Sequence, residues 1–197
     1  MDYTPTPIPA TRWQDIPALY AKLQTGGDVA QCLRWIILTL VRSDAARGTH
    51  MSEVSNGIWT VPADRVKGQR NKVQDFRVPL SIEAQDIIEQ QSQIHEGLMF
   101  TGPRGRPVTS RGMEKHLDSL GEVGRPHGFR TSFRTWVQDT GSCSYEVAET
   151  VLGHSIHSRV AKSYARSDLL DRRKTVMKAW AQFVTGQASA TVTQIYR

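Results

Sequence analysis

The first third of the chain has the apolar spacing of helices. A short helix is predicted from Asp15 to Leu23, where apolar side chains recur with helical period, and Gly26-Gly27 interrupts it. Asp28 is expected to cap a second helix, which runs to about Val41 and is dense enough in apolar residues to be buried. Arg42 directly follows this apolar run, so the helix is expected to hold the arginine at the edge of the core.

The pattern changes to that of strands in the middle of the chain. Ile58–Val61 and Phe76–Leu80 predict two paired strands of a small antiparallel sheet, with Lys67 at or near the tip of the hairpin. A helix from Ser81 to about Gln93 and a short strand at 98–100 are predicted to follow. The stretch from 101 to 107 must be a loop, because it is rich in glycine and proline.

The second half is predicted to be helical, near 109–120, 127–139, 145–152, 157–164 and 169–184. Asp168 is expected to cap the last of these helices, and Gly153 to end the helix at 145–152. On the helix from 127, the polar residues His127, Arg130 and Arg134 share one face. The large apolar residues share the opposite face, so the core should anchor this helix while the histidine and arginines point away from it. The fold class predicted is mainly α with a small antiparallel β-sheet (α+β).

Composition and charge favour one domain with an anionic partner. The chain has 197 residues, 39% hydrophobic residues, a net charge of +6 and an isoelectric point of about 9.6. Charge alone leaves nucleic acid and an anionic membrane surface open. A membrane surface is the weaker alternative, because the basic residues fall in hairpin and loop segments rather than along one amphipathic helix. The sequence lacks an apolar run of about 20 residues and a signal-peptide pattern, and its two cysteines stand in no motif, so we expect a cytoplasmic protein with reduced thiols.

The residues best suited to chemistry lie towards the C-terminus. His127, Arg130, His154 and Tyr164 occur in an order and spacing that suit attack of a phenol on a phosphodiester. Only about 0.1% of a free tyrosine is ionised at neutral pH, so such a phenol needs a base and positive surroundings. Tyr145 is a rival tyrosine, but it precedes the His154 turn and is expected to pack. No set of cysteines or carboxylates accompanies the histidines, so neither a metal nor another cofactor is expected.

Taken together, these segments resemble the catalytic domain of the tyrosine recombinase (phage integrase) family, in particular integrases of prophages and genomic islands. The likeness extends from Trp13 to Val184. It is carried by the strings PHGFRTSFRTW, EVAETVLGH and YARSD in the C-terminal half, and by DRVK ahead of RVPL and ILTLVR further upstream. It implies an extended segment at 1–14, the catalytic domain at 15–184 and a tail at 185–197.

The resemblance also implies roles for six residues. Arg42 and Arg130 would clamp the scissile phosphate, while His154 would hydrogen-bond its oxygens. Tyr164 would attack it to give a 3′-phosphotyrosyl bond, with His127 assisting proton transfer. Lys67 would protonate the 5′-oxygen that leaves. The implied partners are double-stranded DNA and further recombinase protomers, as a tetramer on two duplexes.

The chain departs from the family pattern at two places. The family usually has an acidic residue three positions after the first arginine, where this chain has Ala45, with Asp44 facing elsewhere. The segment that follows Lys67 is long and contains Lys72, a rival for the general acid.

Such integrases also carry N-terminal DNA-binding domains, so we expect a truncated or excised catalytic domain that binds DNA weakly and through phosphates. A type IB topoisomerase-like enzyme and a non-catalytic DNA-binding remnant of a mobile element stay open as alternatives.

Overall fold

The computed structural model describes residues 7–68, 73–154 and 168–187. Helices surround a small sheet in these ranges, as predicted. The α-helices are α1 (Ile16–Lys22), α2 (Gly27–Thr39), α3 (Ser43–Arg47), α4 (Ile82–Ser92), α5 (Ser110–Ser119), α6 (Gly128–Thr140), α7 (Tyr145–Val151) and α8 (Leu170–Val184). The strands are β1 (Val54–Ser55), β2 (Ile58–Val61) and β3 (Phe76–Pro79). The helix predicted over 157–164 lies outside the described residues, as does the tail beyond Gln187.

The sheet is antiparallel and has the order β1-β2-β3. Strands β2 and β3 pair with Trp59 opposite Val78, which confirms the predicted pairing. Strand β1 was not predicted. It joins β2 through the two-residue turn Asn56-Gly57 with φ of 52° and 71°. Asn-Gly with both φ positive is typical of a tight hairpin, so the signal was present in the sequence. The predicted strand at 98–100 is wrong, because Leu98 forms only an isolated bridge with His50.

Helix α2 lies at the centre of the core. Its residues from Cys32 to Thr39 are all buried, and Trp35 packs on Trp59 of the sheet with ring centroids 5.2 Å apart. On another side, the indole of Trp180 from α8 donates to the Ile37 carbonyl at 2.8 Å. Phe133 of α6 packs edge-on against Trp180, so the apolar face predicted for α6 does anchor that helix.

Three helix boundaries differ from the prediction. Helix α2 ends at Thr39 because Leu40 adopts a left-handed conformation with φ of 59°, and Arg42 then precedes the separate helix α3. Asp28 is not the cap of α2; its carboxylate instead accepts the backbone N–H and hydroxyl of Thr101. Asp168 does not cap α8 either, because it forms an ion pair with Arg77 at 2.8 Å.

The N-terminal segment packs along α6. The Pro9 carbonyl accepts the Arg125 N–H at 3.0 Å, and the Trp13 indole donates to Asp139 at 2.7 Å. A Cβ atom on Gly128 would lie 2.3 Å from the Pro9 carbonyl oxygen, so glycine is required at this crossing. The segment therefore sets the position of the first turn of α6, next to His127.

Among the described residues, no helix is long and apolar enough to span a membrane.

Candidate active site

Arg130 joins three parts of the structure from a buried position on α6. Its side chain was predicted to point away from the core, but the residue is only 4% exposed. The guanidinium donates to the carbonyls of Leu40 and Leu152, and its Nη2 lies 3.0 Å from His154 Nε2. The left-handed turn at Leu40 and the end of α7 thus present carbonyls to the same arginine. Burial, and then the charge of Arg42, lower the pKa of Arg130 to about 10, so it stays a cation at neutral pH.

His154 is placed by the way in which α7 ends. Gly153 has a φ of 61°, its N–H donates to the Thr150 carbonyl, and the His154 N–H donates to the Glu149 carbonyl. This is the paired hydrogen-bond pattern of a Schellman motif, and it confirms the prediction that Gly153 ends the helix. The motif reverses the chain within one turn, so the imidazole of His154 lies against Arg130.

Glu149 supports His154 from the other edge of the ring, a contact that was not predicted from the sequence. Its Oε2 lies 3.0 Å from His154 Nδ1, and its Oε1 lies 3.2 Å from Arg134 Nη1. The Glu149 residue is only 8% exposed. An acid five residues before a histidine, with a glycine just before that histidine, was a usable signal, because a Schellman turn folds the two side chains together.

Arg42 lies at the rim of the same cluster. It is half-buried, it is the N-cap residue of α3, and burial lowers its pKa. With Ala45, Arg130 and Gly153 it lines a small cavity of about 20 Å³. The side chain of Asp44 is exposed and pairs with Arg47 at 2.5 Å, so it faces elsewhere, as expected. No carboxylate replaces the missing acid on this turn of α3.

His127 stands at the start of α6 and keeps an exposed edge. Desolvation is the first cause that lowers its pKa, and positive charge is the second. The cations that contribute are Arg130, Arg42 and Lys67, and His154 adds to them when it is protonated. The other four candidate residues that the structure describes therefore lie within electrostatic reach of His127.

Lys67 is exposed and follows the short turn at Ala63–Arg65, in the long connection between β2 and β3. Its rival Lys72 lies outside the described residues. Two other cations of this basic stretch serve the fold instead. Arg65 forms an ion pair with Glu53 and donates to the Ala45 carbonyl at 3.2 Å, and Arg77 pairs with Asp168.

Tyr164 lies outside the described residues, whereas both flanks of its segment are described. One flank is His154. At the other flank Asp168 pairs with Arg77, and the fully buried Arg173 donates to the Arg77 carbonyl at 2.6 Å. The rival Tyr145 does not pack as expected, because it is 64% exposed and its hydroxyl accepts from Arg134 at 3.2 Å.

The described residues contain no group of three or more histidine, cysteine or carboxylate side chains placed to hold a metal ion. The cluster is instead a set of cations and imidazoles with one buried carboxylate. Such a set offers hydrogen-bond donors and proton-transfer groups to an anion.

The chain is similar in sequence to several integrases. It is 29% identical to the prophage integrase IntA of Escherichia coli (strain K12), over 94% of this chain and 46% of that protein. It is 26% identical to the integrase of Enterobacteria phage P4, over 90% of this chain and 45% of that protein. The chain thus spans about half the length of these curated relatives. No family model matches it.

Two solved structures share its fold. One is a lambda integrase dimer bound to a COC′ core site, with a TM-score of 0.58 and 16% identity, covering 84% of this chain and 62% of that chain. The other is the XerH site-specific recombinase bound to difH substrate in a pre-cleavage complex, with a TM-score of 0.51 and 17% identity, covering 81% of this chain and 53% of that chain. The chain therefore has the catalytic-domain fold of the tyrosine recombinases and is related in sequence to the phage and prophage integrases.

Proposed function

We propose that this chain is the catalytic domain of a site-specific DNA recombinase that cleaves and rejoins strands through a 3′-phosphotyrosyl intermediate, without a metal. The observation that carries the proposal is the Arg130–His154 contact at 3.0 Å, with Arg42 lining the same cavity. A buried, water-excluded guanidinium with further cations around it is suited to a phosphodiester, whose negative charge increases in the transition state.

The proposed reaction exchanges one phosphoester bond for another at each step, so it needs no external energy source. The Tyr164 oxygen attacks phosphorus as its proton passes to His127, and the bond from phosphorus to the 5′-oxygen breaks. Lys67 gives that oxygen a proton, while the two arginines and His154 hold the other phosphate oxygens. Attack by the 5′-hydroxyl of another strand reverses the step. The lowered pKa of His127 supports its role, because a neutral imidazole can accept a proton.

A nicked suicide duplex tests the proposal. After cleavage such a substrate loses its short 5′-hydroxyl fragment, so the covalent complex accumulates and is seen on a denaturing gel. We expect an adduct with the wild-type chain and none with Tyr164→Phe. Tyr145→Phe is the matched control, because Tyr145 is the exposed rival, and it should form the adduct. An adduct with Tyr164→Phe, or none with the wild type at saturating DNA, would contradict the proposal.

A substrate with a better leaving group shows whether Lys67 or Lys72 is the general acid. We expect Lys67→Ala to slow cleavage of an ordinary duplex, and a 5′-bridging phosphorothiolate to restore the rate, because a thiolate leaves without an acid. Lys72→Ala should behave as wild type on both substrates. If only Lys72→Ala is rescued by the sulfur, the general acid is Lys72.

A non-catalytic DNA-binding remnant is the second candidate, and Ala45 is the observation that favours it. The carboxylate expected to support Arg42 is absent, and Asp44 faces solvent. Tight DNA binding without any adduct would favour this alternative. Relaxation of supercoils without a defined site would instead favour the type IB topoisomerase-like activity.

The proposed partners are double-stranded DNA and other copies of a recombinase. Support comes from the two structural neighbours, which are DNA complexes, one of them a dimer on a core site. Assembly as a tetramer on two duplexes and a cytoplasmic location are part of the proposal. Sedimentation of the chain with paired synthetic sites would measure the number of protomers per complex.

A further inference from the structure

Glu149 is a buried carboxylate that meets the candidate site through His154. The residue is 8% exposed, and the two oxygens of its side chain have different neighbours. Oε2 lies 3.0 Å from His154 Nδ1, while Oε1 lies 3.2 Å from Arg134 Nη1 as an ion pair without a formed hydrogen bond. Arg134 therefore draws one oxygen towards itself and leaves the other in contact with the imidazole.

The partners of His154 decide where its proton lies. An ionised carboxylate only accepts hydrogen bonds, so Nδ1 must carry a hydrogen to bond with Glu149. A guanidinium only donates, so Nε2 must offer its lone pair to Arg130 Nη2 at 3.0 Å. These two contacts favour the tautomer of His154 that carries its ring hydrogen on Nδ1.

This state has to change when a phosphate reaches the site. Nε2 without a hydrogen would place a lone pair against a phosphate oxygen, which is repulsive. With Nδ1 held by Glu149, His154 donates to the phosphate only if Nε2 takes up a second proton from the buffered solvent, which breaks its hydrogen bond from Arg130 and leaves that Nη2 group free to donate to the phosphate. The imidazolium so formed lies between two anions, the phosphate and Glu149, and this offsets the nearby charge of Arg130.

We propose that Glu149 is a positioning residue, which fixes His154 in its Nδ1–H form and supplies the balancing negative charge when His154 donates to the scissile phosphate. The inference rests on the proposed DNA strand transfer. Carboxylate–imidazole pairs in other active sites work in the same way, because the acid orients a histidine without touching the substrate.

Nitrogen-15 NMR of the free chain tests the first half of the proposal without any need for activity. We expect the long-range proton–nitrogen spectrum to show His154 with its hydrogen on Nδ1, its signal being assigned by loss in His154→Ala. In Glu149→Gln that preference should weaken, because an amide can donate to Nδ1 as well as accept from it, and Arg130 alone then favours a lone pair on Nε2. Glu146→Gln is the matched control, since it removes the same charge from an exposed position on α7. A wild-type spectrum with the hydrogen on Nε2 would overturn the proposal.

A double-mutant cycle tests the second half. Glu149→Gln should slow adduct formation at saturating DNA by about 10- to 100-fold with little change in DNA affinity. In a His154→Ala background it should slow the reaction no further, because Glu149 acts through His154. An equal loss in both backgrounds would show a general structural effect and overturn the proposal. A wild type without adduct would refute the proposed function instead, while the NMR result would still decide the tautomer.

Discussion

Single residues at the site both hold neighbouring elements together and present groups that could bind a phosphate. Arg130 is the main example, because its guanidinium holds the Leu40 and Leu152 carbonyls and also lies against His154. A planar fork of five donors can do this, whereas the ammonium of a lysine cannot match the same geometry. The arginine is therefore a structural element and a candidate phosphate clamp at once, so a loss of activity on its removal would not separate the two roles.

The protonation of His127 can be tested without this ambiguity. Its pKa is held below the ordinary value of 6.5 by desolvation first and then by neighbouring cations. A lowered pKa favours the neutral imidazole, so at pH 6.5 more than half of the His127 side chains should be neutral and able to accept a proton. A proton NMR titration of the DNA-free chain, assigned with His127→Gln, should give a midpoint below pH 6.5. The midpoint should move upward when Arg42→Gln removes one of these cations. A wild-type midpoint at or above pH 6.5 would contradict the structure.

At the scale of elements, long periodic segments were predictable and short ones were not. Helices α2 and α6 have apolar faces several turns long, so their positions follow from spacing alone. Helix α3 has five residues and no period, and it starts only because Leu40 turns the chain into a left-handed conformation that leucine seldom adopts. That turn moves Arg42 off the end of α2 and towards the cluster, which no local pattern indicated.

The glycines that end α7 and α6 form a matched pair, because only the one that ends α7 lies next to the candidate site. Gly153 and Gly141 both end a helix with positive φ, of 61° and 65°, and an added Cβ would meet nothing closer than 3.5 Å at either. Gly153→Ala and Gly141→Ala should each lower the free energy of unfolding by about 1–2 kcal/mol, because alanine is strained there. Chemical denaturation measures this loss.

Only Gly153→Ala should also slow adduct formation, because Gly153 sets the turn that carries His154 and the Leu152 carbonyl to Arg130. Equal catalytic losses in both variants would show that general stability, rather than the position of His154, limits the reaction. Unchanged activity in Gly153→Ala would show that the turn keeps its geometry without glycine.

At the scale of the whole molecule, the sequence predicted a basic protein but not which cations face a partner. Arg65 and Arg77 belong to the basic stretch near Lys67, yet both form ion pairs within the fold. Arg173 is fully buried, against the ring of Phe76 and the Arg77 carbonyl. Tertiary pairing of this kind depends on contacts between distant elements, so spacing along the chain does not show it.

The cations left exposed include those of the loop between Thr101 and Pro107. Thr101 is bound by Asp28 at one end of the loop, and Arg47 of α3 donates to the Val108 carbonyl at 3.0 Å just beyond the other end. Arg104 and Arg106 are exposed between these anchors. The loop is thus anchored next to α3, which starts beside Arg42, and its two exposed guanidinium groups are candidates for phosphate contacts in the proposed DNA complex.

Salt dependence measures how many phosphates the loop neutralises. If Arg104 and Arg106 each contact one phosphate, the double alanine variant should reduce the slope of log affinity against log salt by about 1.8, since each contact contributes about 0.9. Lys22→Ala with Arg172→Ala removes the same charge from exposed positions on α1 and α8, and it separates local contacts from net charge. Fluorescence anisotropy over a salt series gives both slopes. Equal slopes for the two double variants would mean that the loop makes no phosphate contact and that DNA senses only the overall charge of the chain.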